Sequence, residues 1–397
     1  MPDQSSIPDY PLSLDLRGRR VVVVGGGAVA ERKVAGLRRA GAQVSVIAPR
    51  TAISDPEVTI VARPYAEGDL DGAWLAFACT DDGEVNSTVV AEATARRILC
   101  VRADRADAGT ARNPAVARTG EVSVAVSSGD PGRSRALARA IGLLLDTGEL
   151  PLRRQRPGTG WVALVGGGPG DPGLITVRGR QLLAQADVVV VDRLAPRDLL
   201  ATLAPDVEVI DVGKRPHGGN STSQERINEV LVDRAGQGKG VVRLKGGDPF
   251  VLGRGAEEFA ACAAAGIDVH VVPGVSSALA GPASAGIPLT HRGIAADFTV
   301  VSAHVVRSTV DWQALAAGPA TLVVLMAMDR LETVCGALIE HGRDPVTPAA
   351  VIQNATRPEQ RVVISTLAKL AADAAAAGLG APAIAVIGEV VSVPGAR

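Results

Sequence analysis

Three loops of this 397-residue chain set glycine beside residues that could do chemistry. The first lies in "VVVVGGGAVAERK" (Val21–Lys33), where Gly25-x-Gly27-x-x-Ala30 follows an apolar run and opens a helical pattern. In that setting the first glycine makes a tight turn and the second lets the backbone approach a pyrophosphate. The small third residue lets the helix pack close. The pyrophosphate would lie at the positive N-terminus of the helix. The next strand, "VSVIAPR", ends without the Asp or Glu that would bind a ribose 2′-hydroxyl, and Arg50 could suit a 2′-phosphate. The loop therefore says dinucleotide without choosing NAD over NADP. Asp104, in "CVRADRADAG", follows the run Ile98–Val101 at its C-terminal end, where ligands of open α/β sheets sit. A carboxylate there could take a proton while a hydride leaves, or could simply cap a loop.

The second loop, "VALVGGGPGDPGLIT" (Val162–Thr176), looks alike but is chemically different. Pro169 and Pro172 remove backbone N–H donors that a phosphate cradle needs, and Asp171 adds an acid. The third, "RLKGGDPFVLGRG" (Arg243–Gly255), again ends an apolar run in Gly-Asp-Pro. Two acid-bearing loops at strand ends fit a neutral or cationic ligand better than a pyrophosphate. S-adenosylmethionine, a sulfonium without phosphate, has that chemistry. Each Asp could equally cap the helix that follows, and the two roles are compatible.

The elements that must carry these loops alternate between strand and helix. Strands are expected at Val21–Val24, Val44–Ala48, Thr59–Ala62, Trp74–Thr80 and Ile98–Val101, with helices over Val29–Ala40 and Glu84–Ala95. "VSVAVSS" (Val122–Ser128) and a helix over Ser134–Leu145 complete the unit. This alternation predicts a parallel sheet with helices on both faces, a Rossmann-like α/β fold. "LPLRRQRPGTG" (Leu150–Gly160) is basic, carries Pro and Gly, lacks periodicity and reads as a linker. Strands then restart at Val162–Val165, Val188–Val191, Val207–Val212, Val241–Leu244 and Val269–Val272. The clearest helix, Ser221–Ala235, opens with Thr222 and Glu225 at capping-box spacing. A further set has strands near Phe298–Ser302, Leu322–Leu325, Ala349–Ile352, Val362–Ser365 and Ile384–Val386. Helices of that set are expected near Val310–Ala317, Arg330–His341 and Leu367–Ala377. The expected domains are residues 1–149, a linker over 150–160, and a two-lobed α/β domain over 161–397 with lobes of about 161–273 and 274–397. Ligands of such lobes usually bind in the cleft between them.

Composition narrows the class. Lys+Arg 41 against Asp+Glu 42, a net charge of -1, lacks the basic excess of a nucleic-acid protein. Aromatics at 2% disfavour stacking on single strands. Cys79, Cys100, Cys262 and Cys335 form no C-x-x-C and read as buried structural thiols. The five histidines, His217, His270, His291, His304 and His341, show no metal-ligand spacing. The polar start has no apolar signal segment, and no run is long enough to span a bilayer. The expectation is a cytoplasmic enzyme with no membrane or nucleic-acid partner.

In order along the chain, "VALVGGGPGDPGLITVRG", "VVVVDRL", "DVGKRPHG", "VVRLKGGDPFVLGRGAEE" and "VVPGVSSALAGPASAGIPLTHR" resemble the motif series of uroporphyrinogen-III C-methyltransferases. "VVGGGAVAERK", "WLAFACTDD", "LCVRAD" and "VAVSSG" resemble the precorrin-2 dehydrogenase domain. Together, in this order, they resemble the siroheme synthase family across almost the whole chain. The resemblance implies two methyl transfers from S-adenosylmethionine to uroporphyrinogen III, giving precorrin-2. NAD-dependent dehydrogenation to sirohydrochlorin and insertion of Fe²⁺ as a substrate then follow. It implies a homodimer as well.

Residue by residue, the resemblance makes Asp192 a proton acceptor and Lys214 a proton donor. It makes Pro169, Gly246, Gly247, Asp248, Val251, Ser276, Ser277, Met326 and Ala355 contacts of S-adenosylmethionine. Ala28, Val29, Pro49 and Arg50 match NAD-contact positions, which favours NAD over NADP. Asp104 matches the acid assigned to dehydrogenation, and Ser128 a serine that relatives can phosphorylate. The implied substrate carries eight carboxylates. Arg193, Arg215, Arg254 and Arg292, in or beside the motifs, suit bidentate carboxylate recognition.

Three departures stand out. "DPGRSRALARA" replaces the family's usual turn after "VAVSSG", and the longer helical extension between the halves is missing. Both weigh against retained iron insertion and the usual dimer contacts. Ala355 stands where the family has glycine near the adenine, a one-methyl change expected to tune affinity. The rival readings are a methyltransferase whose first half is a relic, and one whose first half senses NAD or a tetrapyrrole.

Overall fold

The computed structural model describes residues 10–154, 158–213, 223–305, 311–393 and 395. Contacts divide the chain into two compact units, Met1–Arg118 with Ser123–Ala140, and Thr119–Val122 with Ile141–Arg397.

The first unit is built on β1 (Arg20–Val24), β2 (Gln43–Ile47), β3 (Thr59–Val61), β4 (Leu75–Ala78) and β5 (Leu99–Arg102). They form one parallel sheet in the order β3-β2-β1-β4-β5. Helix α1 (Ala28–Arg39) follows β1, and α2 (Gly83–Ala95) joins β4 to β5. Strand alternation explains the two layers. Val21 and Val23 pack with Ala30, Val34 and Leu37 of α1. Val22 and Val24 face the other way, onto Val89 and Ala93 of α2. Strand order reverses between β1 and β4, the switch point at which such sheets bind ligands.

The run at 122–128 does not extend this sheet. Here β6 (Ala115–Thr119) and β7 (Val122–Val126) form a separate two-stranded sheet. Only Gly120 and Glu121 separate them, too short a link for the parallel crossover expected from the sequence. Val122 and Ser123 are exposed, unlike residues of a strand covered on both faces. Helix α3 (Pro131–Thr147) also starts earlier than expected. The Asp130 carboxylate accepts from Gly132 and Arg133 N–H at 2.7 and 3.1 Å, and Pro131 takes the first helical position.

In the second unit β8 (Trp161–Gly166), β9 (Val188–Val191), β10 (Glu208–Asp211), β11 (Gly240–Lys245) and β12 (Asp268–Val272) form a parallel sheet, order β10-β9-β11-β8-β12. Its helices are α4 (Val177–Leu183), α5 (Gln224–Gly236) and α6 (Gly255–Ala264). Thr222 lies outside the described residues. The N-cap of α5 is Ser223, whose hydroxyl accepts from Arg226 N–H at 3.2 Å, in place of the expected Thr222 cap.

Helix α7 (Ser277–Ser284) leads to the second sheet of this unit. That sheet holds β13 (Phe298–Ser302), β14 (Thr321–Leu325), β15 (Pro348–Gln353), β16 (Arg361–Thr366) and β17 (Ala383–Ile387). Their order is β13-β14-β17-β15-β16, parallel only between β13 and β14. Helices α8 (Trp312–Ala317), α9 (Leu331–Glu340) and α10 (Leu370–Ala376) cover it. Strand β16 follows β15 without a helix and pairs back antiparallel, the pairing a short connection permits. Among the described residues no helix is long and apolar enough to cross a membrane.

Candidate active sites

In the first unit, the loops leaving β1, β2, β4 and β5 share the C-terminal edge of the sheet. Gly25 has φ +120°, and a Cβ on it would run into the Cys79 carbonyl, so only glycine fits. Gly26, which sequence reading passed over, is as confined. A Cβ there would strike the Arg50 carbonyl and stand 2.8 Å from Thr51 Cβ. The Thr51 hydroxyl donates to the Gly26 carbonyl at 3.2 Å. Gly27 differs, since it is the N-cap of α1, takes no side-chain cap, and has nothing within 4 Å of a Cβ placed on it. The N-terminus of this twelve-residue helix is thus open at Gly27 and flanked by exposed Ala28 and Val29. Ala30 is fully buried under the sheet, as close packing requires. Pro49 and Arg50 are exposed at the end of β2. An uncapped helix end with an open approach at Gly27 fits a pyrophosphate.

Asp104 stands at the end of β5. Arg102 grips it with two parallel bonds, Nε to Oδ1 and Nη2 to Oδ2, both 2.9 Å. Asn86, fully buried, donates to Oδ1 at 3.0 Å and also joins the Thr80 backbone. The Arg102 guanidinium, then the Asn86 bond, hold the Asp104 carboxyl below the usual aspartate range. Nearby, burial pushes the Cys79 thiol up to about 11 and the Lys33 ammonium down. Sequence reading missed Arg102 and Asn86. The signal for Arg102 was a charge closing an apolar strand two residues before the acid.

In the second unit, three glycine-bearing loops converge. The Gly168 and Gly247 backbones exchange hydrogen bonds at 3.2 and 2.7 Å, joining the loop after β8 to the loop after β11. Gly166 and Gly274 touch so closely that a Cβ on either would collide with the other's backbone. A Cβ on Gly246 would press on Leu194. One on Gly247, at φ +65°, would stand 3.6 Å from Ser277 N. Asp248 Oδ1 accepts from Phe250 N–H at 2.8 Å, and Oδ2 from Gly274 N–H at 3.0 Å. Asp171 Oδ1 accepts from Gly173 N–H at 2.7 Å. Asp248 thus spends both oxygens on backbone donors and Asp171 one, the capping role that the sequence left compatible with shaping a site for a neutral or cationic ligand. Ser276 caps α7 through Ala278 N–H at 3.2 Å, and Ser277 opens that helix.

From the mixed sheet, Met326 (φ +55°) follows β14, and Asn354 (φ +49°) and Thr356 (φ +68°) flank Ala355 after β15. Strained backbone of this kind collects at functional sites. The Thr356 hydroxyl accepts from Asp171 N–H at 3.1 Å, and Arg357 packs over Gly170, beside half-buried Pro169. Ala355 is buried with Ala278 and Ile384, and faces Gly281 of α7. Val251 and Met326 are exposed on the loops leaving β11 and β14.

Asp192 closes β9. Its Oδ1 accepts from the N–H groups of Leu194 and Ala195 at 3.1 and 3.0 Å, and Arg243 Nη2 reaches Oδ2 at 3.4 Å. Arg193 and Arg292 are exposed. Arg254 already holds a carboxylate of its own chain, Glu257, at 2.8 and 2.6 Å. Lys214 and Arg215 lie outside the described residues.

The sequence profile of the family described as Tetrapyrrole (Corrin/Porphyrin) Methylases matches residues 162–371. That described as Putative NAD(P)-binding matches residues 12–115. A siroheme synthase of Azotobacter vinelandii is 39% identical, covering 96% of this chain and 96% of its own. One of Chromobacterium violaceum is 38% identical, covering 97% and 95%. The first alignment spans 450 positions against a chain of 397, so that relative carries stretches this chain lacks. Among solved structures, uroporphyrin-III C-methyl transferase from Thermus thermophilus complexed with S-adenyl homocysteine is 41% identical with a TM-score of 0.50. It covers 59% of this chain and 100% of its own. A cobalt precorrin-4 methyltransferase is 30% identical with a TM-score of 0.52, covering 58% and 95%.

Proposed function

The chain belongs to the siroheme synthase family, and on that premise we propose that it methylates uroporphyrinogen III twice to precorrin-2 and then oxidises precorrin-2 to sirohydrochlorin. It is a multifunctional enzyme of siroheme biosynthesis. Residues 161–397 carry the methyl transfer, residues 1–149 the dehydrogenation, and 150–160 link them. The observation that carries this reading is a pair of differently built strand-edge sites on one chain, an uncapped helix N-terminus at Gly27 and a clasp of glycine loops tied by Asp248. A relic first half would have no reason to keep both an open approach at Gly27 and a bidentate Arg102–Asp104 pair.

When bound, S-adenosylmethionine supplies an electrophilic methyl group and NAD⁺ a hydride acceptor. The protein supplies position and proton transfer. Pro169, Gly246, Gly247, Val251, Ser276, Ser277, Met326 and Ala355 would hold the methyl donor, with Asp248 shaping their loops. A methyl added to a ring carbon leaves the macrocycle with a proton to lose. Asp192, with Oδ1 filled and Oδ2 only loosely engaged, is placed to accept one, and Lys214 is assigned as donor. In the first unit Gly25, Gly27, Ala28, Val29, Pro49 and Arg50 would receive NAD⁺. Asp104 takes the proton that accompanies hydride loss. Held below the usual range by Arg102, it is a weak base that works through placement.

Arg193 and Arg292 are free to meet substrate carboxylates, whereas Arg254 must first release Glu257. Iron insertion is left out, because the two departures from the family pattern fall on the segments from Asp130 to the linker. The proposal includes a cytoplasmic homodimer, which light scattering tests.

The test is anaerobic. Purified protein receives uroporphyrinogen III and S-adenosylmethionine, with and without NAD⁺, and mass spectra follow the macrocycle. Dimethylated product, oxidised only with NAD⁺, is expected. Dimethylated product indifferent to NAD⁺ overturns the dehydrogenase half, and no methylation overturns the proposal.

A further inference from the structure

Beneath Asp192 the α5/α6 face of the parallel sheet holds charge where its neighbours hold hydrocarbon. Strand alternation sets Val241, Arg243 and Lys245 of β11 on one face, and Val188, Val190 and Asp192 on the same side of β9. Val188, Val190 and Val241 pack with Ile227 and Leu231 of α5 and Cys262 of α6. Arg243 and Lys245 are buried just as deeply, each 3% exposed. Both reach Glu258 of α6, fully buried one turn before Cys262. Arg243 Nε stands 3.0 Å from Oε1, and Lys245 Nζ 3.1 and 3.0 Å from the two oxygens. Gln224, the first residue of α5, approaches Oε1 at 3.4 Å. Arg243 Nη1 donates to the Val190 and Leu244 carbonyls, both at 3.3 Å.

Such a cluster is a poor way to stabilise a sheet. Each ion gives up its hydration on burial, and apolar side chains of similar volume often do as well or better. Glu258 moreover balances only one of its two cations. Burial, with Arg243 beside it, pushes the Lys245 ammonium below its usual range. The cation left over faces Asp192. That carboxylate is anchored at Oδ1 by two backbone N–H groups, and its Oδ2 is steered by a long 3.4 Å contact to Arg243. Apart from that one long contact, Oδ2 has room for a further partner.

We propose that Arg243, braced by Glu258 and Lys245, is a positioning residue for methyl transfer, holding Oδ2 of Asp192 in the orientation from which it removes the macrocycle's proton. This rests on Asp192 being the proton acceptor. The full-length protein is assayed with uroporphyrinogen III and S-adenosylmethionine, and binding of S-adenosylhomocysteine is measured by calorimetry. Arg243→Gln is expected to lower kcat roughly 10-fold or more through lost alignment. It should leave S-adenosylhomocysteine affinity within about twofold, a split that general unfolding would not produce. Arg243→Lys keeps the charge but not the fork, and recovers part of the loss. In an Asp192→Asn background, Arg243→Gln changes kcat by less than about twofold, because the group it positions is gone. If Arg243→Gln does not fold, Glu258→Gln removes the brace and carries the same expectations. Full kcat in a folded Arg243→Gln protein, with Asp192→Asn slow, overturns the proposal alone. So does an equal loss in both backgrounds. Full kcat in Asp192→Asn overturns the assignment of the base and the proposal with it.

Discussion

The Asp248 carboxylate accepts from the Gly274 N–H at 3.0 Å, so one side chain ties the loop after β11 to the loop after β12. Its other oxygen orders the same loop through Phe250 N–H. Asp248→Ala is expected to cost about 1–2 kcal/mol of stability, because two loop N–H groups lose their acceptor. Affinity for S-adenosylhomocysteine falls with it, while NAD⁺ binding is unchanged. Thermal melts and calorimetry check this. An unchanged affinity would show that the tie does not shape the site.

Gly25 and Gly27 should separate folding from binding. Gly25→Ala forces a Cβ into the Cys79 carbonyl at φ +120° and destabilises the first unit. Gly27→Ala meets open space, so stability falls only by the roughly 0.5–1 kcal/mol that alanine costs relative to glycine at a helix N-cap. NAD⁺ affinity nonetheless drops roughly 10-fold or more, since the added methyl occupies the approach of the pyrophosphate. Wild-type affinity in Gly27→Ala would move the dinucleotide elsewhere.

Asp104→Asn should abolish NAD-dependent oxidation and leave methylation intact. The pH dependence has a definite sign. Arg102, then Asn86, depress the folded carboxyl, so its contribution to stability is present above the ordinary aspartate value of about 3.9 and is lost as pH falls through the depressed value. Any acid limb of oxidation due to Asp104 therefore lies below about pH 4. Arg102→Leu removes the guanidinium and moves that limb upward. Rate profiles of both proteins, with melts to confirm folding, decide it. A limb that stays in place would free Asp104 from Arg102.

Ala355→Gly restores the family's residue but removes a Cβ packed among Ala278 and Ile384. A loss of about 1 kcal/mol is expected, part packing and part backbone freedom. Affinity for S-adenosylhomocysteine changes only a few-fold. A larger gain in affinity would show the methyl group intruding on the ligand.

Burial pushes the thiols of Cys79, Cys100, Cys262 and Cys335 each up to about 11. At pH 8 an aromatic disulfide reagent should label none of the four in the native protein and all four in denaturant. Rapid native labelling of any one would show a local opening that the fold does not suggest.

Much of this protein is legible in one dimension. Apolar strand runs, helical periods and glycine–proline punctuation are local consequences of backbone sterics and burial, so the α/β alternation and the glycine loops could be read directly. The same rules failed where the deciding contact was remote or where two local signals competed. "VSVAVSS" reads as one more parallel strand, yet a two-residue turn commits it to β6. Thr222 has the spacing of a cap, yet Ser223 takes the position. The clasp of Gly166 on Gly274, the convergence of Asp171 on Thr356, and the approach of Arg243 to Asp192 join residues far apart in the chain. No periodicity encodes such meetings. They exist only once the sheets bring loops from distant strands together. There the two Gly-Asp-Pro loops use their acids as backbone caps, the role the sequence left open beside that of shaping a ligand site. The sequence determined which loops could do chemistry. The tertiary structure decided which side chains are left free to do it.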